Sequence, residues 1–214
     1  KTLINVPISI ASSLAASCVP ALTAAYTNGD QEKVRSQINT AIRFIMVIAF
    51  PCAVGMGVLA SPILQLLFHD SSELAAAMLQ LGAVSILFFS LSTLSNGLLQ
   101  GINRMHEPVK NALIALVLHI GLLIGLMYGF HLNIYAVVYA NAFFGLLMCV
   151  LNAYSVKKYS GYKQEWKRTF LIPGLSAVVM GAAVWGVYKL TLYLFRVNAL
   201  ATVISILVGV CVYA

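Results

Sequence analysis

Charged residues are scarce in this chain, and their scarcity excludes a water-soluble globular domain. Only 9% of the 214 residues are charged, whereas 61% are hydrophobic. Soluble domains carry about 25% charged residues, and so few charges could not cover a surface that faces water. The apolar runs, such as "SILFFSLSTL", are long and unbroken rather than short and alternating, which favours helices over a membrane barrel. The sequence therefore predicts an all-α, polytopic transmembrane helix bundle.

Motifs for catalysis and metal binding are also lacking. The sequence contains no HExxH, GxSxG or CxxC motif, and Cys18, Cys52, Cys149 and Cys211 each lie alone in an apolar segment. We therefore expect no enzyme activity, no metal site and no cofactor. The cysteines are predicted to be buried structural thiols.

Acidic residues are missing from the predicted spans. The six acids fall in connections or at helix edges, at Asp30, Glu32, Asp70, Glu73, Glu107 and Glu165. Transporters coupled to protons or sodium usually keep an acid within the membrane. Any acid that couples transport to an ion is therefore expected in a part of the protein beyond this chain.

Seven apolar stretches are predicted to span the membrane, because a helical span needs about 20 mostly apolar residues. They lie near 6–25, 41–68, 74–101, 109–129, 133–155, 170–194 and 198–214, so residues 1–214 form one membrane domain. Pro51 is expected to interrupt and kink the second stretch, while Pro108 and Pro173 are expected near helix starts. Since the chain begins without Met and stops within an apolar run, we interpret it as a piece of a longer protein.

Lysines and arginines are concentrated in alternate connections. One side carries 10 of the 13, namely Lys33, Arg35, Arg43, Arg104, Lys110, Lys157, Lys158, Lys163, Lys167 and Arg168, and the other side carries 3, namely Lys1, Lys189 and Arg196. The positive-inside rule then places loops 26–40, 102–110 and 156–169 in the cytoplasm and residue 1 outside the cytoplasmic membrane. The net charge of +7 also predicts attraction to anionic inner-leaflet lipid. Nucleic-acid binding is not expected, because the charge is divided among short loops.

Short sequence motifs predict where helices end and where aromatic residues lie at the cytoplasmic side of the membrane. Asn28, Gly29 and Asp30 are expected to end one helix and to cap the next, and residues 31–44 are a candidate surface helix that turns inward afterwards. The aromatic residues Tyr154, Tyr159, Tyr162 and Trp166 cluster where an interfacial belt is expected.

Two stripes of polar residues are candidates for a binding surface. Ser9, Ser13 and Ser17 share one helix face, which is expected either to pack closely against another helix or to line a water-filled cavity. Asn96 and Gln100 continue from Ser92 in a second stripe, for which hydrogen bonds between helices are the alternative to cargo binding.

Single polar residues add further candidates. His119 lies on one face with Asn111 and is either a satisfied buried histidine or a proton relay. Arg43 is the best single cation for an anionic ligand, with snorkelling to lipid headgroups as the alternative. Asn141 and Asn152 are expected to hold helices together.

The order of these features resembles a known transporter family. The stretch from "SLAASCVPALTAAYTNGD" to "FPCAVGMGVLASPILQLLF", followed by "LLQGINRMHEPVKN" and "GFHLNIYAVVYANAFFGLL", is similar to the C-terminal half of the MurJ and stage V sporulation protein B flippases. These proteins belong to the multidrug/oligosaccharidyl-lipid/polysaccharide exporter superfamily.

The resemblance implies a flippase that moves a lipid-linked sugar by alternating access. It implies about fourteen helices in two halves, of which this chain would supply the last seven and the missing N-terminal half the rest. The helix with Ser9, Ser13 and Ser17 would line the central cavity, and the last two spans would form a groove for the lipid tail. MurJ-like cavities are often cationic, whereas the first span has no Lys or Arg after Lys1, so other polysaccharide-lipid substrates stay open.

Two further functions remain as alternatives. One is a drug or cation antiporter of the same superfamily, which requires an acid within the membrane. The other is a membrane scaffold for wall or spore assembly that transports nothing.

Overall fold

The computed structural model describes residues 2–68, 72–129, 134–162 and 164–213, and within these ranges all regular structure is helical. The helices are α1 (Thr2–Thr27), α2 (Gln31–Val58), α3 (Ala60–Phe68), α4 (Glu73–Gly101), α5 (His106–Ile124), α6 (Ile134–Ser160), α7 (Ile172–Phe195) and α8 (Asn198–Tyr213). Short π-helical turns follow α5, at Gly125–Gly129, and precede α7, at Lys167–Leu171. Lys1, Asp70 and Lys163, which enter the predicted charge distribution, lie outside the described residues.

The predicted polytopic bundle is confirmed. Six described helical segments are long and apolar enough to cross a membrane, and α8 is a shorter apolar helix. The chain is therefore a multi-pass membrane protein with about seven spans.

The predicted interruption of the second span lies at a different position. α2 continues through Pro51 to Val58, and the break comes at Leu59, after which α3 begins at Ala60. Pro62 explains this place, because it has no N–H to donate to the carbonyl of Val58, four residues earlier. Membrane helices tolerate an internal proline such as Pro51 when neighbouring groups satisfy the freed carbonyl.

The connections are shorter than predicted. Most of the predicted loop 26–40 is helical, because α2 begins at Gln31 and runs without a turn into the membrane span, so no separate surface helix forms there. Likewise α5 begins at His106 and α6 continues to Ser160. Apolar runs mark only the part of a helix within lipid, and polar turns extend each helix beyond it.

Backbone capping fixes the two ends where α1 and α4 stop. Gly29 has φ +74° and Asn103 has φ +58°, the left-handed conformation that ends a helix. After each of them the next amide bonds back five residues, from Asp30 to Ala25 at 3.1 Å and from Arg104 to Leu99 at 2.8 Å. Asp30 also caps α2, since its carboxylate accepts a hydrogen bond from the amide of Lys33 at 3.0 Å, as predicted.

α1 and α4 pack in close parallel contact along glycines of α4. A Cβ added at Gly97 would lie 2.6 Å from the Cβ of Ala15, and one added at Gly101 would lie 2.8 Å from the side chain of Leu22. Such close approach between helices is typical of membrane bundles. The hydrophobic effect does not hold helices together in lipid, so they associate through van der Waals packing that small residues make possible. One face of α1 is thereby fixed against α4, and the opposite face remains open.

The three basic connections meet at one end of the bundle. The guanidinium of Arg35 donates to the carbonyl of Ser160 at 3.2 Å, and the hydroxyl of Tyr159 donates to Glu107 at 3.1 Å. Arg104 lies over the Tyr159 ring, 4.4 Å from its centre, a cation–π arrangement. The basic connections thus lie at one end of the molecule, and the less basic connections between them lie at the other end.

Candidate functional site

The serine face of α1 is open in the described part of the chain. Ser9, Ser13 and Ser17 are exposed, and each hydroxyl donates to a carbonyl of its own helix, at Asn5, Ser9 and Leu14, over 2.9, 3.1 and 2.9 Å. A hydroxyl that donates in this way keeps lone pairs that accept hydrogen bonds. The face therefore offers acceptors to water, to a ligand or to another helix, and no described helix covers these three side chains.

Arg43 and Gln100 are also exposed. Within the described ranges neither side chain has a hydrogen bond or an ion pair. Arg43 lies in α2, which packs against α1, and Gln100 lies at the end of α4 beside the α1 contact. Both side chains are thus free to meet a ligand, and their proposed binding roles remain predictions.

Asn96 belongs to a buried hydrogen-bond network that joins α4, α5 and α6. Asn152, which is 0% exposed, donates to Asn96 Oδ1 at 2.7 Å and accepts from Asn111 Nδ2 at 2.9 Å. Asn111 also donates to Ser155 at 3.1 Å, and Asn152 reaches the Ser92 carbonyl at 3.4 Å. Buried amides in a membrane protein need such partners, so Asn96 has a structural role, and its contact with cargo remains a prediction.

His119 is held between α5 and α6. Its Nδ1 lies 2.8 Å from the carbonyl of Ala140, and its ring meets Phe144 edge-on with the centres 5.6 Å apart. Because a carbonyl only accepts, Nδ1 carries the proton in this pair. The geometry is that of a satisfied histidine, and a ligand-binding role for His119 remains a prediction.

The connection from α6 to α7 packs more tightly than its sequence indicates. Tyr162 is only 6% exposed and donates to Asn39 Oδ1 at 3.2 Å, whereas Trp166 is 69% exposed, as an interfacial residue should be. Burial raises the pKa of Tyr162 to about 12, so its hydroxyl stays protonated to a higher pH than that of an exposed tyrosine. The sequence shows no signal that separates Tyr162 from the other belt aromatics.

The described residues show no group of three His, Cys, Asp or Glu side chains that could hold a metal ion. The exposed polar groups are serines, an arginine and a glutamine, which can bind a polar or anionic ligand.

A comparison with protein families identifies the family of this chain. The family model described as lipid II flippase MurJ matches residues 1–206, nearly the whole chain. The chain belongs to the MurJ family. The resemblance seen in the sequence is thereby confirmed.

Two curated members of the MurJ family are similar to this chain. The lipid II flippase MurJ of Bacillus subtilis (strain 168) is 29% identical over 189 residues, covering 86% of this chain and 34% of the relative. The probable lipid II flippase MurJ of Bdellovibrio bacteriovorus is 29% identical over 188 residues, covering 84% of this chain and 35% of the relative. The chain spans about a third of the length of these MurJ proteins, so the activity of a whole MurJ protein applies to it only as a proposal.

Proposed function

We propose that this chain belongs to the C-terminal half of a flippase that moves a lipid-linked oligosaccharide or a lipid II-like peptidoglycan precursor across the bacterial cytoplasmic membrane. The family match over residues 1–206 carries the proposal. Flipping a lipid changes no covalent bond, which fits a site made of exposed serines, an arginine and a glutamine.

The serine face of α1 is the proposed wall of the transport cavity. α4 holds the opposite side of α1 through Gly97 and Gly101, so the serine face points away from the bundle. A second half that faces α1 would enclose the polar groups in a cavity, as in other repeat-built transporters. Arg43 is the proposed contact for the phosphate of the cargo, because a guanidinium binds phosphate through paired hydrogen bonds.

The basic end is the proposed cytoplasmic end. Its three connections contact one another through Arg35, Tyr159 and Arg104, and they carry most of the Lys and Arg residues of the chain. The positive-inside rule then orients α1 with its N-terminus outside. Rocking of the two halves would expose the cavity first to this end and then to the other.

Complementation by the full-length protein tests the proposal. In bacteria depleted of their own lipid II flippase, expression of the full-length protein should restore growth and the appearance of the precursor in the outer leaflet. Arg43→Ala and Ser13→Leu should each reduce that signal, because one removes the phosphate contact and the other blocks the cavity wall. Lys189→Ala, an exposed cation on α7, is the matched control and should leave the signal unchanged.

Two results would overturn the proposal. One is a full-length protein that exports cationic drugs and moves no lipid-linked sugar, which would indicate an antiporter. The other is full growth with Arg43→Ala and Ser13→Leu combined, which would indicate a scaffold that transports nothing.

A further inference from the structure

A large apolar cleft lies between α2, α4 and α6, beside the connection that leads to α7. Its volume is about 790 Å³, within the range of about 300–1,000 Å³ that is usual for ligand pockets. Its walls are mostly aliphatic and aromatic, including Met46, Leu91, Leu146 and Phe170. The cleft lies away from the serine face of α1, since no residue of α1 lines it.

The cleft lies between α6 and α7, which barely touch each other. α6 packs on α4 and α5, and α7 packs on α2 and α8, while α6 and α7 have almost no direct contact over the described residues. Val150 and Tyr154 of α6 line the cleft and are exposed, so it opens sideways toward the lipid. An apolar gap of this size within a bilayer is filled by hydrocarbon, because water would find too few polar partners there.

The end of the cleft nearest the α6–α7 connection is polar and cationic. Lys157, Gln164 and Trp166 line it, and Gln164 Nε2 is buried without a hydrogen-bond partner in the described part of the chain. Each of these side chains brings a donor. None of the described residues that line the cleft is an Asp or Glu, and Glu165 is the one acid among residues 154–170, which contain five Lys and Arg residues.

We propose that this cleft binds an anionic phospholipid of the leaflet that adjoins the basic end. One or both acyl chains lie along the apolar wall and fill the gap between α6 and α7. The phosphate lies at the cationic end, where it accepts from Lys157 and from the unpaired amide of Gln164. A buried donor without a partner destabilises the protein, and a phosphate oxygen that accepts from it removes that cost. Trp166 and Tyr154 lie at the rim, at the depth where aromatic side chains meet lipid headgroups.

The site is distinct from the proposed cargo path, so the two proposals can fail independently. The lipid in the cleft is a bound component that connects α6 to α7, and it is not carried across the membrane. A polyprenyl phosphate, which shares the anionic headgroup and the apolar tail, is the competing occupant that the test must distinguish.

Two substitutions separate the parts of the site. Lys157→Gln removes the charge from an exposed residue at nearly constant size, so the fold should be preserved. Ala153→Trp, at a position on α6 that lines the cleft, fills the space of an acyl chain. Lys189→Gln is the matched control, because Lys189 is exposed on α7 and does not line the cleft.

Native mass spectrometry of the purified full-length protein measures the binding. The protein is released from detergent in the presence of equal amounts of phosphatidylglycerol and phosphatidylcholine with the same acyl chains. Wild type should retain phosphatidylglycerol preferentially. Lys157→Gln should reduce that preference by about tenfold, since a charge-assisted contact to phosphate is lost, and Ala153→Trp should reduce the retention of both lipids. Lys189→Gln should behave as wild type.

Three outcomes would overturn the proposal. The first is equal retention of the two lipids by wild type, and the second is an unchanged preference in Lys157→Gln. The third is that an equimolar polyprenyl phosphate displaces phosphatidylglycerol from wild type and no longer binds to Ala153→Trp. This result would assign the cleft to the cargo tail instead. If Ala153→Trp fails to fold, wild type still tests the first outcome and Lys157→Gln still tests the second.

Discussion

The contact between Gly97 and Ala15 sets the distance between α1 and α4, and replacing Gly97 by Ala tests it. The added Cβ would lie 2.6 Å from the Cβ of Ala15, 3.2 Å from its Cα and 3.4 Å from its carbonyl carbon. Carbon atoms pack at about 3.5–4.0 Å, so the two helices must separate by about 1 Å. Two of the three close atoms belong to the backbone of α1 and cannot rotate away. We expect a loss of about 1–3 kcal/mol in the free energy of unfolding, the usual cost of overpacking.

The assay is reversible unfolding of the full-length protein in mixed micelles of detergent and SDS. Gly121→Ala is the matched control, because nothing lies within 4 Å of a Cβ added at Gly121 in α5, and its stability should stay near wild type. The double variant Gly97→Ala with Ala15→Gly moves the methyl group from α1 to α4 and should recover part of the loss, because the 2.6 Å contact disappears while the backbone contacts at 3.2 and 3.4 Å remain. If Gly97→Ala is as stable as Gly121→Ala, or if Ala15→Gly recovers nothing, the helices do not meet at this point and the placement of the α1 serine face is wrong.

Two further predictions concern the network and the helix cap. Asn152→Leu should lower the free energy of unfolding by about 1–2 kcal/mol, because hydrogen bonds between membrane helices average about 0.6 kcal/mol each and Asn152 makes two strong ones. The control Asn141→Leu, at a residue without a hydrogen bond in the described structure, should lower it much less. Equal losses in the two variants would refute the network. Asp30→Ala removes the acceptor for the amide of Lys33 and should lower the stability of α2 by about 1 kcal/mol. Hydrogen exchange in the first turn of α2 should then be faster than in wild type. Unchanged exchange there would show that the cap is not formed.

The sequence predicts the bundle well because lipid imposes few solutions. Apolar runs of sufficient length indicate helices, and the alternation of basic connections indicates which helix ends lie together. The structure places the three basic connections at one end, with Arg35 bound to Ser160 and Arg104 on Tyr159. Helix ends were less predictable, because α2 begins in the polar stretch at Gln31, where hydropathy gives no signal.

The candidate site was predictable only in part. The periodicity of Ser9, Ser13 and Ser17 predicts a shared face, but only packing shows that α4 leaves that face open. For Asn96 the sequence left cargo binding and hydrogen bonds between helices as alternatives, because its partner Asn152 lies 56 residues away along the chain. Contacts at such separation depend on how the helices are arranged, which local pattern does not contain.

The most direct test of the account is the accessibility of the serine face to water. A single cysteine is placed at Ser13 in the full-length protein, with Cys18, Cys52, Cys149 and Cys211 replaced by serine or alanine. A second protein carries its cysteine at Val117, on the exposed apolar face of α5.

Both proteins are treated in membranes with a cationic, water-soluble methanethiosulfonate, which reacts only with thiolates that water reaches. The account predicts rapid labelling of Ser13→Cys, slowed by a lipid-linked precursor, and almost no labelling of Val117→Cys. Equal resistance of the two cysteines would contradict it, because the serine face would then lie against lipid or another helix rather than along a water-filled transport path.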